Sequence, residues 1–299
     1  MRAVVYTEYG EPEVLSVGEV AEPHAGPGQV RIAVRAASVN AIDWKQVGGL
    51  MARGGAPVGP TVPGFDAAGV VDEVGEGVTG VRVGDAVFGL GPATAAEHAV
   101  LRAWAPQPAD LTAEAAAGLG VAGETAVRVL DLLGLPEGRT VVVDGASGGV
   151  GSATVQVAVS RGLRVVGTCS PANADVVRSL GALPTRYGAG LADRVREFAP
   201  GGVDGGVDTV GKGSVPDLVA LTGDPRRVVT IADFGAGELG VHVTSSSDGA
   251  APRLAEVARL AAQGRLALPV AGVYPFERAA EALRRSREGH VRGKLVLVP

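Results

Sequence analysis

The chain has 299 residues, 46% of them hydrophobic and 20% charged, with a formal net charge of −5. That length and balance fit two domains with packed cores and exclude a disordered chain; the mild acidity gives no footing for nucleic acid or an anionic membrane surface, and no apolar run reaches membrane-span length. The single cysteine, Cys169, excludes an internal disulfide and a Cys-rich zinc site.

In chain order, "MRAVVYTEYG" at the N-terminus reads as a short strand rather than a signal peptide. Residues 1 to about 112 continue as short apolar strands between Gly/Pro turns, in "QVRIAVRAASV", "AAGVVDEVG" and "GDAVFGL". From about 113 to 264 helical and strand patterns alternate, which marks βαβ units and a parallel sheet. Within that zone "GVHVTSS", residues 240–246, reads as an extra strand. The tail returns to the first style, with a helix in "ERAAEALRRSREG" and a final strand "KLVLV".

The chemistry concentrates in "VVVDGASGGVGSATVQVAVSRG", residues 141–162. Thr140 to Asp144 is a compact β-branched run suited to a buried parallel strand. Gly145 to Gly151 forms a turn, and Ser152 to Ser160 carries Val155 and Val159 four apart beside Ala158, a helix packed on a sheet. A strand, a glycine turn and a helix are what a dinucleotide loop requires, although Ala146 stands in the first glycine slot of G-x-G-x-x-G. Ala146, Ser147, Gly148, Gly149, Val150 and Gly151 are therefore candidate cofactor residues. Gly148 lets the backbone approach a pyrophosphate, Gly151 lets the helix press on the strand, and the helix N-terminus supplies free N–H groups. The competing reading is a tight βα turn with no ligand.

The next strand, "RVVGTCS", ends near Ser170 with neutral residues Thr168, Cys169 and Ser170, and the first acid downstream is Asp175. An NAD site usually places an acid there, which would repel a 2′-phosphate. Ser170 and Asn173 can instead donate hydrogen bonds to that phosphate, with charge from Arg178 or Arg186, so the expected cofactor is NADPH. The alternative is that Ser170 and Asn173 cap a helix starting near Ala172. Cys169 reads as packing.

With these residues in view, the sequence resembles the medium-chain dehydrogenase/reductase superfamily, in its zinc-free quinone oxidoreductase and enoyl reductase branch. The resemblance runs in order through "GEPEVLSVGEV", "VRAASVNAIDWKQVGG" (an S-x-N-x-x-D segment), "VPGFDAAGVVDEVGEGVTGVRVGDAVFG", "VAGETAVRVL", "GASGGVGSATVQVA", "SLGA", "VDTVG" and "HVRGKLVLVP". It implies an α/β protein: a GroES-like β-rich catalytic domain from residues 1–112 and 265–299, and a doubly wound Rossmann domain binding NADPH from 113–264, with the cofactor in the cleft between. Zinc-dependent relatives carry Cys near the place of Asn40 and Gly-His-Glu near Gly64-Phe65-Asp66; neither is present, and His24, His98, His242 and His290 are scattered, so no metal is expected.

The same resemblance places Asn40 beside the nicotinamide, hydrogen-bonded to the cofactor or the substrate carbonyl, as the one candidate catalytic residue; a turn-forming Asn is its plain alternative. Thr125 resembles a threonine at the nicotinamide end, and Tyr187 an aromatic residue flanking the adenosine ribose, although "LPTRY" departs from the usual "DxVIDY". Thr209, Val210 and Gly211 end a strand at the carboxyl edge of the sheet, and Ile231, Ala232 and Phe234 end the next; both are places where ligands bind in open α/β folds, or ordinary core and turn. Trp44, Met51, Phe65 and Phe234 are the expected apolar acceptor pocket. Several family members carry a Tyr after the Asn as proton donor; "DWKQVGGLMARGG" has none, and Lys45 would serve only with a pKa lowered by burial. The expected proton source is solvent, or a group that the sequence does not identify.

The expected function is reduction of a quinone or an α,β-unsaturated carbonyl by NADPH, without zinc. The alternatives are a trans-acting enoyl reductase of a biosynthetic pathway and a catalytically silent NADPH-binding protein, which the missing Tyr permits. The expected partners are a small-molecule substrate and, from family habit in the region of 240–246, a second copy in a homodimer; the expected location is the cytoplasm.

Overall fold

The computed structural model describes residues 1–52, 54–245 and 248–299. The chain divides into two compact units, one of residues 1–121, 250–262 and 267–299, the other of 122–249 and 263–266.

The second unit is built on a six-stranded sheet: β1 (Thr140–Asp144), β2 (Arg164–Cys169), β3 (Leu183–Arg186), β4 (Gly205–Asp208), β5 (Val228–Thr230) and β6 (His242–Val243). All pairings are parallel and the order is β3-β2-β1-β4-β5-β6. This is the doubly wound nucleotide-binding order, with its reversal point between β1 and β4. Every residue of β1 is buried, as a β-branched run at the centre of a parallel sheet should be. The core on one face joins Val142 and Val166 to Leu191, Val195, Val215 and Leu218 from the crossover helices. The strand expected at 240–246 is the short edge strand β6; Ser246 lies outside the described residues, as does Arg53.

The first unit holds a seven-strand sheet and a two-stranded one, the GroES-like architecture. Its longest strand, Val30–Val39, pairs antiparallel with Asp66–Val74 on one side and Lys294–Val298 on the other. The registers Leu295↔Val39 and Ala67↔Ala37 set the starts of both neighbours, Lys294 and Asp66, beside the end of the central strand. Asn40 follows directly as N-cap of the helix Ala41–Val47. The unit boundary differs from 113–264 because residues 113–121 and the helix Ala250–Ala262 pack with the first unit. That helix buries Leu254, Val257, Leu260 and Ala261 and packs on the strand Ala103–Pro106.

Candidate cofactor site and a buried polar cluster

In the second unit the glycine turn runs as the sequence requires. Gly145 has φ +81°, a left-handed conformation that favours glycine, and a Cβ there would lie 2.4 Å from Val210. A Cβ on Gly151 would lie 2.1 Å from the Gly145 carbonyl oxygen, so glycine is what lets the helix Gly149–Ser160 start against the turn. At Gly148 a Cβ would meet only that oxygen, at 3.4 Å, so the outer side of the loop is open to a ligand. The first helical bond is Ser152 N–H to Gly148 O at 2.8 Å, so the N–H groups of Gly149, Val150 and Gly151 precede it and are the helix's open donors. A pyrophosphate fits this cradle. Ala146 is fully buried with its N–H on Thr168 O, and its φ is not positive. Its methyl occupies space that Gly167 leaves: a Cβ on Gly167 would lie 2.6 Å from the Ala146 Cβ. Alanine in the first slot is thus accommodated from the neighbouring strand.

Asp144, at the end of β1, is buried and held by hydroxyls: Thr168 and Ser214 donate to its two carboxylate oxygens. Thr168 Oγ1 also accepts from Gly145 N–H at 3.0 Å, tying β2 to the turn. Ser170 follows β2, half-buried, and its side chain makes no capping hydrogen bond to the short helix Pro171–Asn173. Asn173 does not cap the helix Ala174–Ser179 either; its amide donates to Ser147 Oγ at 3.1 Å, joining the strand end to the glycine loop. The capping alternative for these two residues therefore fails. Arg178 is paired with Asp175 at 2.5 Å, whereas Arg186 ends β3 in register with Cys169. Tyr187 follows, 58% exposed, on a turn fixed by Arg194, whose guanidinium donates to the carbonyls of residues 186–189. Cys169 is buried, and burial pushes its thiol pKa up.

Along the carboxyl edge, Thr209 Oγ1 donates to Asp144 O at 2.7 Å, and Val210 and Gly211 N–H both donate to Asp208 at 2.9 Å. Gly211 (φ +69°) presses on Ala232, where a Cβ would lie 2.8 Å from backbone. Ile231 N–H reaches Asp208 O, and Thr230 binds the other Asp208 oxygen. The structure therefore brings together Gly145 to Gly151, Thr209, Val210, Gly211, Ile231 and Ala232 at the carboxyl ends of β1, β4 and β5. Phe234, after β5, is 52% exposed. Thr125 is buried, and its hydroxyl accepts from Arg128, which also binds Glu124 and Thr244.

In the first unit Asn40 is the centre of a buried cluster. Lys294 Nζ donates to Asn40 Oδ1 at 2.5 Å, and Asn40 Nδ2 donates to Asp66 Oδ1 at 2.7 Å. Asp66 Oδ2 accepts from Val121 N–H at 2.6 Å. Asp43, at the third helical position, returns to accept from Asn40 N–H at 2.7 Å, half of a capping box. Asn40, Asp43, Asp66 and Lys294 are all buried. Burial pushes the Asp43 carboxyl up to about 7, with Asp66 adding repulsion and the Asn40 N–H opposing. Asp66 is raised by burial to about 6, against the pull of Lys294 and its hydrogen-bond donors. Burial lowers the Lys294 ammonium while both carboxylates oppose.

Trp44 packs, half-buried, on the cluster of Val4, Tyr6, Val39 and Phe276, with Lys45 Nζ 5.6 Å from its ring. Phe65 is half-buried and Met51 is 44% exposed. Among the described residues, no three His, Cys, Asp or Glu side chains group to hold a metal ion, and no helix is long and apolar enough to cross a membrane. The residues that sequence reasoning missed are Asp43 and Lys294, and Asp66 as a working group. The signal was present: Lys294 is the one charge in an otherwise apolar strand, KLVLV.

Two family profiles match the chain: one described as "Alcohol dehydrogenase GroES-like domain" over residues 26–196, the other as "Zinc-binding dehydrogenase" over residues 185–297. The chain is 32% identical, over its whole length and 80% of the relative, to an NADPH-dependent alkenal/one oxidoreductase of Arabidopsis thaliana chloroplasts. It is 34% identical, over 93% of its own length, to the spectinabilin polyketide synthase system protein of Streptomyces orinoci, of which it spans 13%. A solved mycobacterial quinone oxidoreductase superposes on the full length of both chains with a TM-score of 0.84 at 29% identity.

Proposed function

The chain belongs to the medium-chain dehydrogenase/reductase family, in its zinc-independent branch, and from that premise we propose that it is an NADPH-dependent reductase of quinones or α,β-unsaturated carbonyls. The observation that carries the reading is the end of β2. A neutral Ser170, with no capping duty, stands beside a glycine cradle to which Asn173 ties it. A carboxylate there would repel a 2′-phosphate; a hydroxyl donates to it. The Arabidopsis relative and the mycobacterial neighbour support the two acceptor classes by their names.

NADPH, when bound, supplies the hydride. In this reading the open N–H groups of Gly149 to Gly151 hold its pyrophosphate, Ser170 and Asn173 hold the ribose phosphate, and the edge from Thr209 to Ala232 supports the nicotinamide end. Asn40 donates to the acceptor's carbonyl oxygen, which gains charge as the hydride arrives. Zinc does not fit the residues present. Phe65 has no lone pair to offer, and Asn40 and Asp66 are spent on each other and on Lys294. An acceptor already activated by conjugation needs no Lewis acid, and solvent supplies the proton.

The alignment with one segment of a polyketide synthase protein favours a second reading, an enoyl thioester delivered on a carrier. The test of both is NADPH oxidation by the purified protein with a simple quinone, a linear enone and an enoyl thioester, with NADH as control. Turnover of NADPH with the quinone or enone supports the first reading, and turnover with the thioester alone supports the second. Preference for NADH contradicts the Ser170 assignment, and NADPH binding without turnover contradicts the reductase.

A further inference from the structure

Lys294 is a buried cation to which the proposed reaction gives no task, and among the described residues its ammonium donates to the side chain of Asn40 alone. If it served merely to neutralise Asp66, direct contact between ammonium and carboxylate would be the better arrangement. Among the described residues Lys294 makes no direct ion pair with Asp66; the Asn40 amide is inserted between them. An ammonium can only donate and an ionised carboxylate can only accept, so the two fix which end of the amide is oxygen and which is nitrogen. The amide dipole is aligned by both: its oxygen on the cation, one N–H on the anion. Chained hydrogen bonds of this kind polarise one another in a low-dielectric interior.

The fold is shaped around this chain of groups. Gly118 and Gly120 lie on the helix Ala113–Leu133, where a Cβ at Gly120 would come 2.6 Å from Asp66 Cβ and one at Gly118 would come 3.1 Å from Lys294. The two glycines let the helix backbone seal Lys294 and Asp66 from water, and Val121 N–H completes Asp66. Asp43 holds the Asn40 main chain at 2.7 Å, so backbone and amide are both anchored. Nδ2 carries a second hydrogen that Asp66 does not take.

We propose that Lys294 is a positioning residue: it locks and polarises the Asn40 amide so that the second Nδ2–H is the donor to the acceptor's carbonyl oxygen. This rests on the reading of Asn40 given above and names the group that makes it work. In this role Lys294 acts only through Asn40.

The test is a double-mutant cycle on the full-length protein, reading NADPH Kd, KM and kcat with the quinone or enone that the wild type reduces. Lys294→Met is expected to lower kcat roughly 10- to 100-fold, less than the roughly 100- to 1,000-fold of removing an oxyanion donor outright, with NADPH Kd within about threefold. Lys294→Arg keeps a cationic donor and is expected to recover most of the loss. The decisive comparison is Asn40→Ala against Asn40→Ala/Lys294→Met. If Lys294 acts through Asn40, the double variant is no slower than Asn40→Ala alone. Independent, multiplying losses overturn the proposal, as does an unchanged kcat in Lys294→Met. Should Lys294→Met fold poorly, Asp66→Asn/Lys294→Met removes both charges and is expected to fold with the same loss of kcat; full activity there is an equally clear contradiction. A wild type that oxidises no NADPH with any acceptor is a separate outcome: it removes the functional reading itself, and the proposal with it.

Discussion

The methyl of Ala146 lies 2.6 Å from where a Cβ on Gly167 would be. The two positions are coupled across β1 and β2, and Gly167 supplies the room that the altered loop needs. Gly167→Ala is expected to overpack this contact and cost about 1–3 kcal/mol, read as a lower midpoint in chemical denaturation. Ala146→Gly restores the usual glycine and is expected to change NADPH affinity less than about threefold, because φ at Ala146 is already ordinary. A Gly167→Ala protein of unchanged stability would show that the contact is not tight.

Gly151 is the strictest glycine of the loop, since its Cβ would meet the Gly145 carbonyl oxygen at 2.1 Å, backbone against backbone. Gly151→Ala must move the helix start off the turn. The expected result is at least a roughly tenfold weaker NADPH Kd with the sheet intact by circular dichroism, because the donors of residues 149–151 lose their alignment. Equal affinity in a titration of NADPH fluorescence would contradict the cradle.

Ser170 is expected to set the choice of cofactor. Ser170→Asp places a carboxylate at the end of β2, where it repels a 2′-phosphate and accepts from ribose hydroxyls. The ratio of kcat/KM for NADPH over NADH is expected to fall by roughly 10- to 100-fold. A ratio that stays put would move the phosphate site elsewhere.

The buried acids make stability depend on pH in a stated direction. Asp43 has a folded pKa of about 7 against an ordinary 3.8, so the folded state holds its proton more tightly. Its contribution to stability is complete below about pH 4 and is lost as pH rises through about 7. Asp66, raised to about 6, adds loss over the lower part of that window. Asp43→Asn carries no titrating proton and is expected to flatten the decline between pH 5 and pH 8 by on the order of 1–3 kcal/mol. Urea denaturation at the two pH values measures it; parallel curves for wild type and variant would refute the buried titration.

The loop was legible because everything it needs is contiguous: a β-branched strand, glycines at 145, 148 and 151, and a helix of small residues. The parallel sheet follows from the alternation of strands and helices, whereas its doubly wound order was legible only through the family resemblance. The acceptor-side chemistry was not legible in the same way. Asn40 meets Asp66 and Lys294 across 26 and 254 residues, and only the register of three strands brings them together. Lys45, the lysine nearest to Asn40 in sequence, instead lies over the Trp44 ring. That Ser170 and Asn173 do not cap the following helix was also outside sequence reach, because Asn173 turns to Ser147 on a different loop.

The most direct test of the account is the fate of the hydride. With NADPH deuterated at C4 of the nicotinamide and a linear enone in ordinary water, the account predicts deuterium on the β-carbon of the saturated product and a solvent hydrogen on the α-carbon. A product whose β-hydrogen comes from water, with NADPH deuterated at either face of C4, would contradict hydride transfer by this protein.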